Sequence, residues 1–83
     1  MSQKVLLTLS QIEAGQTGTI MQILGGRGLI QRLEALGIRP GKRVTKVSSM
    51  LFHGPITLKV NHTQVAIGFG MANKILVEID TST

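Results

Sequence analysis

The sequence predicts a small all-β domain, an antiparallel barrel of about five short strands with one short α-helix after the first strand. Two observations support this prediction. Short apolar runs are separated by glycine-containing turns along most of the chain, and one stretch, residues 28–36, carries apolar residues at helical spacing. The 83 residues are enough for a single domain, residues 1–83, because two cores of half that size would be too small to be stable.

The first predicted strand covers residues 19–24 and ends at Gly25-Gly26. Successive residues of a strand point to opposite faces, so Ile20 and Ile23 are expected on opposite sides of the sheet. The glycine pair then permits a tight turn into the helix.

The predicted helix has a one-sided apolar stripe and a clear end. Gly37 suits the left-handed position that follows a helix, and Ile38 is then expected to pack on Leu33. Pro40 prevents the helix from continuing. We therefore expect about two to three helical turns that pack on the barrel. The stripe consists of Leu29, Ile30, Leu33 and Leu36.

The remaining strands are predicted from alternation and from turn residues. Residues 42–49 hold Val44 and Val47 three positions apart, which breaks strict alternation and predicts a bulge or a sharp bend. Residues 55–60 alternate cleanly and lead to a hairpin tip at Asn61-His62. Two further strands are expected at residues 64–67 and 75–79, separated by a turn or a single helical turn at residues 68–72.

The net charge of +5 comes from one segment of the chain. Residues 27–46 contain six basic residues and one acid, Glu34, whereas the charges of the flanking segments cancel. Such clustering predicts a positive face for an acidic protein or a phosphate polymer, and the alternative is plain solubility of an apolar domain. The candidate contact residues in this segment are Arg27, Arg32, Arg39, Lys42, Arg43 and Lys46.

An apolar run, Met50-Leu51-Phe52, leads into the expected connection between two strands. Loops usually run over the surface, and a methionine beside an aromatic ring suits an adaptable contact. These three residues are therefore candidate partner-contact residues. The alternative is that Leu51 and Phe52 fold back over the barrel core.

No catalytic, cofactor or metal site is predicted. The chain has no cysteine, no recognisable nucleophile motif and no phosphate-binding loop that ends in Gly-Lys-Ser/Thr. His53 and His62 are the only histidines and lie far in sequence from the four acids, so they are weak metal candidates. We therefore expect a protein that is not an enzyme and that needs no cofactor.

Partners and location follow from the same composition. Two aromatic residues, both Phe, are too few for a base-stacking platform, so no nucleic acid is expected as a partner. Duplex binding through phosphate contacts alone stays an alternative. The apolar stretches are too short for a membrane span or a signal peptide, so the protein is expected in the cytoplasm. The sequence leaves a homo-oligomer open.

Segments across residues 8–79 match one known family. They are Gly15-Gln16-Thr17-Gly18-Thr19-Ile20, Gly25-Gly26, Arg32-Leu33, Leu36-Gly37-Ile38-Arg39-Pro40-Gly41, Gly54-Pro55-Ile56, Val65-Ala66-Ile67-Gly68, Met71-Ala72 and Ile75. On these residues the chain resembles FeoA-domain proteins, the small cytosolic component of bacterial ferrous iron transport systems, which share an SH3-like barrel fold.

The resemblance implies a non-enzymatic accessory protein that acts on the membrane iron transporter FeoB, whose cytosolic portion contains a GTPase domain. It also implies contact with the membrane only through that transporter. A similar barrel is appended to iron- and manganese-dependent transcriptional repressors, so a regulatory module of that kind is the alternative function. The matching residues are structural in character, and the resemblance assigns no binding residue.

Overall fold

The computed structural model describes residues 2–49 and 54–82. Its elements are β1 Ser2–Thr8, β2 Thr17–Ile23, α1 Arg27–Ala35, β3 Arg43–Ser49, β4 Ile56–Val60, β5 Thr63–Ile67, α2 Phe69–Ala72 and β6 Ile75–Ser82. Within the described residues the six strands form one sheet in the order β1-β6-β2-β3-β4-β5, and every neighbouring pair is antiparallel. The predicted all-β fold is confirmed, with one strand more than expected.

The additional strand is β1, which pairs with β6 one residue to one over its full length. Its register turns Val5 and Leu7 toward the core, where both are partly buried, and leaves Leu6 53% exposed. An exposed leucine between two inward residues removes the alternation by which a half-buried strand is recognised. The run Val5-Leu6-Leu7 therefore lacks the alternating pattern that predicts a strand.

A bulge in β2 changes which residues face the core. Ile20 and Gln22 pair with consecutive residues of β6, so Met21 is the extra residue. Ile20 and Ile23 are both buried, while Met21 is 48% exposed. The prediction that Ile20 and Ile23 face opposite sides is wrong, because the bulge shifts the alternation by one residue.

The C-terminal end of α1 has the predicted geometry. The N–H of Ile38 donates to the Leu33 carbonyl oxygen and the N–H of Gly37 donates to the Glu34 carbonyl oxygen, both at 2.9 Å. Gly37 has a φ of +87°, which completes the Schellman pattern. Because Leu33 and Ile38 are both fully buried, this end of the helix is fixed to the core.

A tight turn connects α1 to β3. The N–H of Lys42 donates to the Arg39 carbonyl oxygen at 3.1 Å, and Gly41 has a φ of +93°, the geometry that a Pro-Gly pair favours. The N–H of Gly41 donates to the Ile20 carbonyl oxygen, and the N–H of Ile20 donates to the Lys42 carbonyl oxygen, both at 2.8 Å. The backbone of this basic turn is thus tied to β2.

The bulge predicted in β3 is also present. Lys46 and Ser48 pair with consecutive residues of β4, which leaves Val47 as the extra residue. β4 buries every second residue and turns into β5 through Asn61-His62, whose φ values are both positive, as a two-residue hairpin turn requires.

The buried apolar residues of the described part form one cluster, and every strand and both helices contribute a buried or partly buried residue to it.

Gly18 is needed where β2 lies against β6. A Cβ at this position would lie 3.0 Å from Ile79 Cγ2 and 3.1 Å from the Glu78 carbonyl oxygen.

Candidate partner-binding surface

The six predicted basic contact residues lie on several elements of the structure. Arg27 and Arg32 are exposed on α1, and Arg39 is exposed on the turn that follows. Lys42 is partly exposed beside that turn, and Arg43 is exposed at the start of β3. Five of the six side chains are therefore accessible. The sixth, Lys46, is not.

Lys46 is a buried structural lysine, with only 3% of its surface exposed. Its Nζ donates to the Ile12 carbonyl oxygen at 2.6 Å and to the Ser10 carbonyl oxygen at 3.3 Å. Its backbone accepts from the N–H of Gly15 at 2.6 Å and donates to the Gln16 carbonyl oxygen at 3.0 Å. Lys46 thus ties the connection between β1 and β2 to β3.

The assignment of Lys46 to the contact surface is therefore corrected. Lys46 follows the buried Val44 at a spacing of two, which places it on the inner face of β3 before the bulge at Val47. Its ammonium satisfies backbone carbonyls there, and burial lowers the pKa of Lys46 below its usual value of 10.5. Sequence reasoning grouped it with the other cations because inward lysines are rare.

An apolar residue lies among the exposed cations of this segment. Leu36 is 39% exposed, although its spacing placed it in the buried stripe of α1. It is the C-cap residue, one position beyond the last residue of α1, and it lies one turn after Arg32. Arg39 follows three residues later on the turn that is tied to β2. Arg32, Leu36 and Arg39, hereafter the helix-end surface, combine charge with an exposed aliphatic group.

A second feature is a shallow groove of about 330 Å³ on the outer face of the sheet. Two cations and two acids line it, and the Lys4 Nζ lies 3.8 Å from Glu78 Oε1. Because its charges balance, the groove does not suit a phosphate polymer. Arg43 belongs to this groove. The lining residues are Lys4, Thr17, Gly18, Thr19, Arg43, Glu78, Ile79 and Asp80.

Of the two weak metal candidates, the structure describes His62. His62 is exposed at the hairpin tip between β4 and β5, and His53 lies outside the described residues. Among residues 2–49 and 54–82, no group of three or more His, Asp or Glu side chains is placed to hold a metal ion.

The apolar run Met50-Leu51-Phe52 also lies outside the described residues. Its position in the chain is nevertheless clear, because it connects β3 to its antiparallel neighbour β4. The predicted contact role of these three residues stays a prediction.

Comparison with known proteins shows where this fold occurs. A protein of Methanocaldococcus jannaschii with the provisional name Fe(2+) transport protein A is 31% identical over 70 residues, 84% of this chain and 83% of that protein. A crystal structure described as iron uptake regulatory protein (FeoA) has a TM-score of 0.82 at 33% identity, covering 90% of this chain and 99% of that one. A manganese-dependent transcriptional repressor has a TM-score of 0.83 at 22% identity, covering 93% of this chain and 43% of that one.

These likenesses and the sheet order define the protein as a small SH3-like barrel module. The FeoA domain family matches residues 7–79, and the chain belongs to that family. The family supplies non-catalytic accessory proteins of ferrous iron transport. In the part of the chain that the structure describes, no helix is long and apolar enough to cross a membrane.

Proposed function

We propose that this protein is a cytosolic accessory protein that binds and modulates the cytosolic GTPase region of a FeoB-type ferrous iron transporter. The observation that carries the proposal is the FeoA match over residues 7–79. In this function the chain meets the membrane only through the transporter, acts on no substrate itself and needs no cofactor.

The contact surface is proposed on charge and exposure. Eight of the nine Lys and Arg side chains are at least partly exposed against four acids, so the accessible surface stays basic although Lys46 is buried. The helix-end surface adds the exposed Leu36 to this charge. A basic surface attracts an acidic one during approach, whereas an apolar contact slows departure. The partner surface is therefore acidic with an apolar recess.

Surface plasmon resonance on the purified cytosolic region of the transporter tests this. Arg39→Glu with Arg43→Glu should slow association and flatten its dependence on salt. The matched control is Lys59→Glu with Lys74→Glu, which reverses two exposed charges outside residues 27–46. If both pairs slow association equally, general charge and not the exposed cations of residues 27–46 governs binding.

The apolar contact is tested in the same assay. Leu36→Ala and Phe52→Ala should each speed dissociation and leave association nearly unchanged. Val47→Ala is the control for Leu36, because both are aliphatic residues that are 39% exposed and Val47 lies on β3, away from the helix-end surface. No binding by the unchanged chain at micromolar concentration contradicts the proposed function.

A regulatory module akin to that of metal-dependent repressors is the second candidate, favoured by the likeness to the manganese-dependent repressor. Binding to duplex DNA through phosphates alone would belong to this candidate or to a separate nucleic-acid binder. Its affinity would fall with salt at a log–log slope of about −0.9 per neutralised phosphate, and Phe52→Ala would hardly matter. A DNA duplex measured beside the transporter at two salt concentrations separates these outcomes.

A further inference from the structure

The edge strand β1 is long and regular, and among the described strands only β6 pairs with it. It ends the sheet on one side, and its seven residues pair with β6 without a bulge. Natural sheets usually blunt such an edge with a bulge, a proline or an outward charge, because its free backbone groups can pair with another chain. β1 has neither a bulge nor a proline.

The direction of the backbone groups of β1 follows from its hydrogen bonds. The N–H of Leu9 donates to the Ile75 carbonyl oxygen at 3.0 Å, so Leu9 faces β6. Every second residue of an antiparallel strand faces the same neighbour. Hence Val5 directs its backbone groups toward β6, and Lys4 and Leu6 direct theirs toward the open edge. The outward N–H of Thr8 is already bound by Gln11 Oε1 at 2.9 Å.

The charge on this strand is balanced by acids of β6. The Lys4 Nζ lies 3.8 Å from Glu78 Oε1, and the Lys4 side chain stays 69% exposed. Asp80, opposite Lys4 in the register, adds a second acid nearby. The surroundings of β1 are therefore not basic, although the whole chain carries +5.

On the outer face of β1, Leu6 is an exposed apolar side chain between Lys4 and Thr8. Leu6 is 53% exposed, more than the other large exposed hydrophobic residues of the described part. The partly exposed Leu76 of β6 and the 48% exposed Met21 of β2 lie further from the edge on the same face. An added strand would cover part of Leu6.

We propose that β1 pairs antiparallel with β1 of a second copy of this chain, with Val5 on the two-fold axis. In this register Lys4 of each copy lies opposite Leu6 of the other, and both outward-facing residues exchange backbone hydrogen bonds. The two Leu6 side chains become diagonal neighbours, about 7–8 Å apart between backbones, a distance that long side chains can span.

The two neighbouring registers are disfavoured. Centring the pair on Lys4 places two ammonium groups directly opposite each other, which is destabilising. Centring it on Leu6 places Lys4 opposite Thr8, whose N–H Gln11 already binds, whereas centring it on Val5 places Thr8 opposite Ser2 at the end of the ladder. The Val5-centred register therefore keeps more of the backbone hydrogen bonds. The contact is small, and we expect a dissociation constant on the order of 10 μM to 1 mM.

Cysteine cross-linking tests the register directly, because the natural chain has no cysteine. Val5→Cys should form a covalent dimer on mild oxidation, since the two Cα atoms of such a pair lie about 4.5 Å apart, within disulfide range. Leu7→Cys is the matched control: the residue is also partly buried on the inner face, but the two copies would be separated by about 13 Å along the strand. Equal cross-linking, or none, overturns the proposal.

Sedimentation equilibrium between 10 μM and about 1 mM chain tests the association itself. Lys4→Pro removes an outward N–H without removing a bond to β6, and it should weaken dimerisation at least tenfold. Ala66→Pro is the control on the opposite edge, β5, where Val60 and Thr63 flank a two-residue turn and Ala66 therefore faces away from β4. A chain that stays monomeric throughout this range, or an Ala66→Pro effect equal to that of Lys4→Pro, overturns the proposal.

Discussion

At the scale of single residues, Lys46 is the buried polar residue among those that the structure describes. Its ammonium replaces water at the carbonyl oxygens of Ser10 and Ile12, which lie in the connection between β1 and β2. A buried donor that satisfies two carbonyls is tolerated, whereas carbonyls left without a donor are costly. We therefore expect Lys46 to contribute to the stability of the fold and not to the binding of a partner.

Replacing Lys46 with methionine keeps the length of the side chain and removes its donor. We expect Lys46→Met to lower the free energy of unfolding by about 1–3 kcal/mol, because the Ile12 carbonyl oxygen loses its hydrogen bond. Lys59→Met, at an exposed position of β4, should change it by less than about 0.5 kcal/mol. Urea unfolding of the three proteins measures both changes, and equal losses would show that the contact contributes nothing.

The stability contributed by Lys46 should also depend on pH. Burial lowers its pKa in the folded state below 10.5, so the unfolded chain binds more protons between the two values. Stability must then rise with pH through that window, as the cost of burying a charge disappears. The unfolding free energy of the natural chain minus that of Lys46→Met should therefore increase from neutral pH toward pH 10.5. A flat difference would contradict the lowered pKa.

Leu33 should be the most sensitive position of α1. Its side chain is fully buried in the core, and its carbonyl oxygen accepts a hydrogen bond from the N–H of Ile38. Leu33→Ala should cost about 2–5 kcal/mol, whereas Arg32→Ala on the exposed side should cost far less. Denaturant midpoints distinguish the two, and similar losses would mean that the buried face of α1 is wrongly assigned.

At the scale of elements, α1 shows two glycines with opposite roles. Gly37 has a φ of +87°, and an added Cβ would lie 3.4 Å from Val60 Cγ1. Gly28 lies in the first turn of the helix, and an added Cβ would meet no atom within 4 Å. The helix therefore requires glycine at its end and tolerates it, at an entropic cost, near its start.

Alanine substitutions at Gly37 and Gly28 should change the free energy of unfolding in opposite directions. Gly37→Ala should destabilise the protein by about 1–2 kcal/mol, because a left-handed residue with a Cβ is strained. Gly28→Ala should stabilise it by about 0.5–1 kcal/mol. Thermal unfolding followed by circular dichroism gives both shifts. A gain from Gly37→Ala would rule out the Schellman end.

The elements that sequence could predict are those set by local chemistry. Gly37 and Pro40 end the helix, and Asn61-His62 close a hairpin, whatever the rest of the chain does. β1, the Met21 bulge and the inward Lys46 depend on pairing with distant residues, which local patterns do not contain. The same holds for the candidate site: exposure of Arg39 was predictable from its charge, but exposure of Leu36 follows from where the helix stops.

At the scale of the whole molecule, its surface is basic and offers few groups that bind metal. The four acids do not gather with a histidine in the described residues, and His62 is alone on its hairpin. Ferrous iron is the cargo of the system in which its family acts.

The folded monomer should hold no intrinsic ferrous ion site. Anaerobic calorimetry should detect no stoichiometric Fe²⁺ binding tighter than about micromolar, because a selective site needs several converging nitrogen and oxygen ligands. The same calorimetry on His53→Ala and His62→Ala tests whether either histidine contributes to any Fe²⁺ binding that is detected. A one-to-one site that either substitution abolishes would overturn this prediction.

The pairing of β1 with β6 also determines the order in which the chain can fold. Ser2 meets Ser82, so this ladder closes a loop of nearly the entire chain, whereas β4 and β5 meet across two residues. Loop closure is entropically cheaper for the short connection, so the hairpin should form early and the β1 ladder last. Synthesis imposes the same order, because β1 leaves the ribosome long before its partner exists. In pulsed hydrogen exchange during refolding, amides of β4 and β5 should gain protection before those of β1.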